Sequence, residues 1–293
     1  MASALPTVSI VIPAYNEEAT IADCVAAALE QTSPAHEILV IDNLSTDRTV
    51  AIVEALQRTH PDAPIRLLRQ DQAQGLIPTR DFGLDAATGE VLARIDADSV
   101  LEPDWIAQAQ RIFSDETVGA ATGPVAYYDM PLRRFGQRTD DRLRRAILRL
   151  AKEYHFLFGS NMALRASAWR DIRGVVCRDE ADEFHEDIDL SIHLFERGHR
   201  VVYDSDLVAG MSARRLDDNP RQYYHYVGRW ERTYAAHAIR NPALRAPMVV
   251  FATIYPLVKG LRDVHQRTEK LRRMTAQLTE AAAAGGAGRI RED

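Results

Sequence analysis

Cysteine is almost missing: Cys24 and Cys177 are the only two in 293 residues. Two cysteines make no disulfide framework, and their contexts do not resemble a metal cluster. A reducing compartment and ordinary packing for both are the expectation. A basic excess is missing too. Against 42 Asp and Glu stand 36 Lys and Arg, a net charge of -6, which argues against nucleic acid as a partner because phosphate binding needs a basic surface. No basic segment followed by a long apolar run opens the chain, so no secretory signal is expected. No uninterrupted run reaches the roughly 18 apolar residues that span a bilayer. The nearest, Met248 to Val258, is short and contains Pro256. These absences point to a cytoplasmic chain. No internal repeat stands out.

What is present is an α/β alternation in a chain that is 46% hydrophobic and 27% charged. Such a length can bury one large core or two closely fused halves. Val8 to Ile12 is an apolar run ended by Pro13, followed by a helical pattern through Ile21, Val25 and Leu29. Ile38 to Ile41 repeats the strand signal. Thr49 to Leu56 is a helix opened by Ser45-Thr46-Asp47, which are capping residue types. A strand over Ile65 to Leu68, a helix over Thr79 to Ala87 stopped at Gly89, and a strand over Val91 to Ile95 complete the first half. Near-continuous apolar strands alternating with helices predict a mainly parallel sheet with both faces covered. Further on, Val118 to Thr122 and Val201 to Tyr203 read as strands, 133 to 154 as an arginine-rich helix, and Asp187 to Arg197 as a helix ended at Gly198. From about Pro220 the pattern is mainly helical, and the Ala/Gly-rich end reads as disordered.

In that architecture ligands bind beyond the carboxyl ends of the strands. After the first strand comes Pro13-Ala14-Tyr15-Asn16-Glu17. Tyr15 is a candidate platform for a nucleotide base; alternatively it closes the strand while Asn16 caps the next helix. Asp42-Asn43 after the second strand can read a base edge or a ribose, or form a polar turn. Asp96-Ala97-Asp98 follows the fourth strand. If the chain stays extended there, the two carboxylates share a face. Clustered acids need a cation, and a hard divalent ion completed by diphosphate oxygens suits them. The other reading is a solvent-facing turn. His185-Glu186-Asp187 opens an amphipathic helix. The helix dipole there favours an ionised Asp187, which could serve as a general base, or simply belong to an acid-rich first turn.

Taken together, VSIVIPAYNEE, EILVIDNLSTDRT, GLIPTRDFGLDAATGEVLARIDADS, FGSNMALR and HEDIDLSIHLFERGHRVVYDSD resemble family 2 glycosyltransferases over roughly residues 6 to 215. The resemblance implies the α/β GT-A (Rossmann-like) fold, a mainly parallel sheet flanked by helices, here with a helical C-terminal extension. It divides the chain into a nucleotide-sugar-binding half (1–125), an acceptor-binding and catalytic half (126–215), a helical region (216–282) and a disordered tail (283–293). It implies that Pro13, Tyr15 and Glu17 line the nucleotide turn, that Asp42 and Asn43 sit at the base, and that Arg80 lies near the donor phosphates. Asp96, Ala97 and Asp98 match the D-x-D motif, with Asp98 and Asp96 as ligands of Mg²⁺ or Mn²⁺. Gly159, Ser160 and Asn161 would border sugar and acceptor beside Glu186, and Asp187 matches the base of inverting members.

Two departures stand out. Related enzymes carry a histidine metal ligand where AGMSARR occurs here, with Ser212 near its place; Arg214 or Arg215 would then neutralise phosphate charge, or form an exposed basic pair. The processive motif Q-x-x-R-W is matched only by Arg229 and Trp230, with Tyr226 in place of Gln. Trp230 then belongs to the acceptor side of a non-processive enzyme, or to the packing of an aromatic-rich helix. The implied reaction is inverting transfer from a nucleoside-diphosphate sugar to a glycan or lipid-linked acceptor, in cell-envelope or exopolysaccharide synthesis. A retaining GT-A enzyme and an inactive nucleotide-sugar-binding module are the rivals. A nucleotidyltransferase would carry a Gly-rich basic phosphate loop, which PAYNEE is not. Seven arginines between Arg133 and Arg149, with the apolar 248–258 segment, suggest peripheral contact at the inner face of a membrane, or else a solvated helix face.

Overall fold

The structure, a computed structural model, describes residues 4–151, 154–176, 179 and 183–287. The first half reads β1 (Val8–Ala14), α1 (Ile21–Leu29), β2 (Glu37–Asp42), α2 (Thr49–Thr59), β3 (Ile65–Arg69), α3 (Leu76–Ala86) and β4 (Val91–Arg94). Then follow β5 (Val100–Leu101), α4 (Trp105–Phe113), β6 (Val118–Thr122), β7 (Val125–Tyr127), α5 (Arg133–Ala151), β8 (Met162–Arg165) and α6 (Ala166–Ile172). The remainder is α7 (Glu186–Glu196), β9 (Arg200–Tyr203), β10 (Ala209–Met211), α8 (Pro220–Ala236) and α9 (Ala246–Ala287).

Seven strands form one sheet in the order β3-β2-β1-β4-β8-β6-β9. Its pairings are parallel except those of β8, which runs antiparallel to both β4 and β6. Strand β1 shows why the sheet is covered on both sides. Its residues alternate: Val8, Ile10 and Ile12 pack with Ile21 and Val25 of α1 and Trp105 of α4, while Val11 faces Leu84 of α3 and Trp169 of α6. That period-2 division is what a buried strand demands. Helix α3 lies so close that a Cβ on Gly83 would stand 2.4 Å from Val11 Cγ1, so only glycine permits the approach. Cys24 is fully buried in the first core layer, which suits packing; Cys177 lies outside the described residues.

The helix and strand expectations hold to within a few residues, but β8 and the small sheet β5-β10-β7 have no counterpart among them. These strands are two to four residues long, too short to display a period. Helix α9 runs to Ala287, so the expected disordered tail begins as helix, and 288–293 lie outside the described residues. The continuity of α9 also revises the reading of 248–258. Pro242–Arg272 is, by length and composition, the one helical segment among the described residues long and apolar enough to cross a membrane.

Candidate functional site

Strands β1, β2 and β4 run parallel and end on one edge, and the order, outward from β1 to β2 and β3 on one side and to β4 on the other, places the topological switch point between β1 and β4, where such sheets bind ligands. The register pairs Ala14 with Asp42, which sets the turns after β1 and β2 side by side. Asn16, at φ 54°, ties them together. Its Oδ1 accepts from Thr46 N at 2.8 Å, and its N–H donates to Ser45 Oγ at 3.0 Å. It therefore does not cap α1. Tyr15 is 48% exposed beside this tie, its ring open to a flat partner, whereas Pro13 is buried within β1.

Asp42 is buried and its Oδ1 accepts from Ser45 N at 3.3 Å. Asn43 turns the other way. Its amide donates to Gln70 O at 2.7 Å and Ala73 O at 3.0 Å, and its Oδ1 accepts from Gly75 N at 2.8 Å. Both amide hydrogens of Asn43 and one lone pair of its Oδ1 are thus used on the 70–75 loop. This corrects its assignment to the base: Asn43 shapes the loop that leads into α3.

Strand β4 stops at Arg94, so Asp96 and Asp98 lie in a turn closed by Ser99 N to Asp96 O at 2.9 Å. They do not share the face that an extended chain would give them. Asp96 Oδ1 takes a bond from Arg80 Nη2 at 2.5 Å, while Asp98 Oδ2 lies 2.8 Å from Arg214 Nε. The Arg214 guanidinium also donates to both Glu17 oxygens, at 2.8 and 2.6 Å. Ser212, where the family's histidine was expected, donates to Asp129 Oδ2 at 2.8 Å and so holds the turn that presents Arg214. Ala97 is buried between the two acids. Burial pushes the Asp98 carboxyl up to about 6; Arg214 opposes this, and Asp96 and Glu17 add to it. Glu17, Asp96 and Asp98 form an oxygen donor set whose cations are the half-exposed Arg214 and an Arg80 shared with Glu186, and a hard divalent ion with diphosphate fits it. Arg215 stands apart, its guanidinium 4.3 Å from the Tyr226 ring centroid.

A second cluster lies behind the first. Arg80 is buried and bridges Asp96 to Glu186. Its charge is spent on two carboxylates, so the expected approach to donor phosphates gives way to a structural bridge. Glu186 also pairs with Arg94 Nη2 at 2.7 Å. Arg94 Nε donates to Gly159 O at 3.2 Å, and Gly159 N donates to Asp187 Oδ2 at 2.9 Å. A Cβ on Gly159 would fall 2.5 Å from Arg94 Nη2, so a side chain here would push that guanidinium out of its place beside Glu186. Asp187 is in the first turn of α7, where the helix dipole favours the ionised form. Burial and the neighbouring Glu186 outweigh that and raise its pKa, while Arg80 and Arg94 hold Glu186 below the usual carboxylate range. The dipole was therefore not the deciding effect.

Of the expected acceptor-side residues, Asn161 is fully buried. Its Oδ1 accepts from Trp105 Nε1 at 2.9 Å, and its amide donates to Pro124 O at 3.0 Å and Leu207 O at 2.8 Å. It is a core brace, which corrects the acceptor assignment. Ser160 is buried with its carbonyl 3.5 Å from Ser99 Oγ. Trp230 is half-buried, stacked on Phe251 at 5.6 Å and tilted against His185 at 4.6 Å, so packing accounts for much of its surface. Two residues escaped the sequence reading. Arg94 had a signal, a charged residue within a buried strand. His185 had only its adjacency to Glu186; burial lowers its pKa to about 4, so it is a neutral ring between Tyr226 and Trp230.

An open, mostly parallel sheet with an acid turn at its switch point defines an α/β protein of the GT-A type. The model of Glycosyl transferase family 2 matches residues 9–173, and the chain belongs to that family. Glycosyltransferase AglE of Haloferax volcanii is 33% identical over 129 residues, 43% of this chain and 42% of that protein. The succinoglycan biosynthesis protein ExoO of Rhizobium meliloti is 36% identical over 100 residues, 34% of this chain and 28% of that protein. The chain thus spans less than half the length of these two relatives. Among solved structures, the mannosyltransferase PcManGT from Pyrobaculum calidifontis, in complex with GDP-Man and Mn²⁺, superposes with a TM-score of 0.65 at 22% identity. That match covers 96% of this chain and 81% of the other, a likeness of fold.

Proposed function

We propose that this chain is an inverting, non-processive glycosyltransferase that moves a sugar from a nucleoside-diphosphate donor to an acceptor hydroxyl, in cell-envelope or exopolysaccharide glycan synthesis. The observation that carries the reading is one unbroken chain of ion pairs and hydrogen bonds. Asp96 meets Arg80, Arg80 meets Glu186, Glu186 meets Arg94, and Arg94 and Asp187 grip opposite ends of Gly159. The donor-side acids and the base are thereby held in one rigid frame, which is what an in-line displacement needs.

In this mechanism Tyr15 stacks on the base and Asp42 contacts the nucleoside. Asp98 and Asp96 would hold Mg²⁺ or Mn²⁺, which when bound offsets charge developing on the departing diphosphate. Arg214, half-exposed on a short turn, exchanges Glu17 and Asp98 for the diphosphate. Asp187 accepts the acceptor's hydroxyl proton as that oxygen bonds to the anomeric carbon and the sugar–phosphate bond breaks. Attack from the face opposite the leaving group inverts the centre. The raised pKa of Asp187 makes it a stronger base than an ordinary carboxylate.

The chain works at the inner face of a membrane in this reading, on a glycan or lipid-linked acceptor. Ile254, Leu257, Leu261 and Val264 of α9 are exposed at three- and four-residue steps, with Leu271 two turns further on, a stripe suited to an apolar interface. Co-sedimentation with anionic liposomes at low salt supports this placement; a chain left wholly in the supernatant removes it.

A thermal-shift screen of UDP, GDP, dTDP and CMP, with and without Mn²⁺, on wild type and Asp98→Ala tests the central reading. Metal-dependent stabilisation by one nucleotide, lost in the variant, is the expected result. A folded chain that responds to none of them removes the catalytic reading. With the donor known, the anomeric configuration of the product tests inversion.

A further inference from the structure

A second set of ligand-type side chains converges away from the donor edge, where α7 meets the end of α8. Asp189 and His193 stand four residues apart on α7, a spacing that puts both on one face. His237 is the residue that ends α8. Asp189 is buried and both imidazoles are half-buried. His237 Nε2 is 2.7 Å from Asp189 Oδ1, and His193 Nε2 is 3.7 Å from the same oxygen. One ligand atom from each residue lies within 4.8 Å of the other two. The two rings meet nearly edge to face, at 5.2 Å and 75°, so neither blocks the point on which they converge.

We propose that Asp189, His193 and His237 form a zinc site, with water as the fourth ligand, that clamps α7 to the end of α8. Zinc takes imidazole nitrogen and carboxylate oxygen at about 2.0–2.2 Å in a tetrahedral shell, which places ligand atoms roughly 3.4 Å apart. The two distances here fall on either side of that spacing, and small rotamer shifts equalise them. The proton shared by His237 and Asp189 leaves as the ion enters. Two imidazoles select a borderline ion such as Zn²⁺ over Mg²⁺, which prefers oxygen alone. The donor acids, all oxygen, have the opposite preference.

A second observation supports the site independently. His193 Nδ1 lies 3.4 Å from Glu196 Oε2, the carboxylate–histidine pairing that orients a metal-bound imidazole. The clamp also has a consequence for the base. The first turn of α7 carries Glu186 and Asp187, and His185 N donates to Thr233 Oγ1 of α8 at 2.9 Å. Zinc would fasten the same two helices further along α7, fixing the helix from which Asp187 projects.

The test uses the full chain, stripped with chelator, dialysed against Zn²⁺ and then counted for metal by mass spectrometry. Wild type and Asp98→Ala are expected to retain one zinc and to gain thermal midpoint from it. His193→Ala and His237→Asn lose the zinc and the gain, and Glu196→Gln weakens affinity about 10- to 100-fold. His237→Asn keeps a donor toward Asp189, and exposed Glu196 tolerates change, so folded variants remain for the comparison. Visible absorption of four-coordinate Co²⁺ in wild type, absent from His237→Asn, would add support. A wild type that retains no zinc overturns the proposal. So does zinc lost in Asp98→Ala but kept in both histidine variants, which would put the ion on the donor acids.

Discussion

Two acid–arginine clusters stand back to back in this chain, and they use their arginines in opposite ways. At the donor edge, Glu17 and Asp98 share Arg214, a side chain 52% exposed on a short turn after β10. At the base, Glu186 lies between Arg80 and Arg94, both buried on α3 and β4. A half-exposed guanidinium is rehydrated as it leaves, so Arg214 gives up its largely buried partners at less cost than a buried arginine would. A buried pair cannot lose a member without stranding a charge, at about 3–5 kcal/mol. The donor cluster is arranged to exchange its cation, and the base cluster to keep its own.

The sharpest test of that contrast is Asp187→Asn. Catalysis by the positioned base is worth roughly 10²- to 10⁴-fold, so kcat should fall by that factor while donor stabilisation in the thermal-shift assay is unchanged. In wild type the acid limb of the rate profile should lie above the ordinary carboxylate range. Asp187 must be ionised to work, and its pKa is raised by burial and Glu186. A limb at the ordinary aspartate pKa of about 3.9 would contradict the buried-base picture.

Arg94→Met should cost about 3–5 kcal/mol in urea unfolding, because Glu186 and Gly159 O lose a buried donor. Asp98→Asn should do the reverse in metal-free protein. The folded chain holds the Asp98 proton more tightly than the unfolded one, about 6 against 3.8. Stability therefore falls as pH rises through that window, and removing the charge should recover up to about 3 kcal/mol at neutral pH. Arg214→Ala, which removes a half-exposed guanidinium, should cost less than Arg94→Met. If Arg214→Ala and Arg94→Met destabilise equally, the distinction between the clusters is lost.

Much of the molecule was legible in the sequence, for reasons that particular residues make clear. The run Val8 to Ile12 and its successors are apolar on both faces, so a covered parallel sheet followed from local pattern alone, and with it the edge where Tyr15, Asp42 and Asp98 gather. Asn43 and Asn161 were misjudged because a polar residue after a strand looks the same whether it faces a ligand or a carbonyl. Their amides are satisfied by the 70–75 loop and by Pro124 and Leu207, partners that no local pattern reveals. Strand β8 was missed because four residues carry too little periodicity, and its antiparallel direction is set only by its neighbours.

The sequence by itself determined the family, the fold and the acid turn after β4, because these rest on residues close together in the chain. Only the tertiary structure decided which arginine serves which acid. Arg80 reaches Glu186 across 106 positions and Arg214 reaches Glu17 across 197. Among several acids and arginines the pairing is chosen by burial, since the buried guanidiniums must be neutralised where they lie and the exposed one need not be.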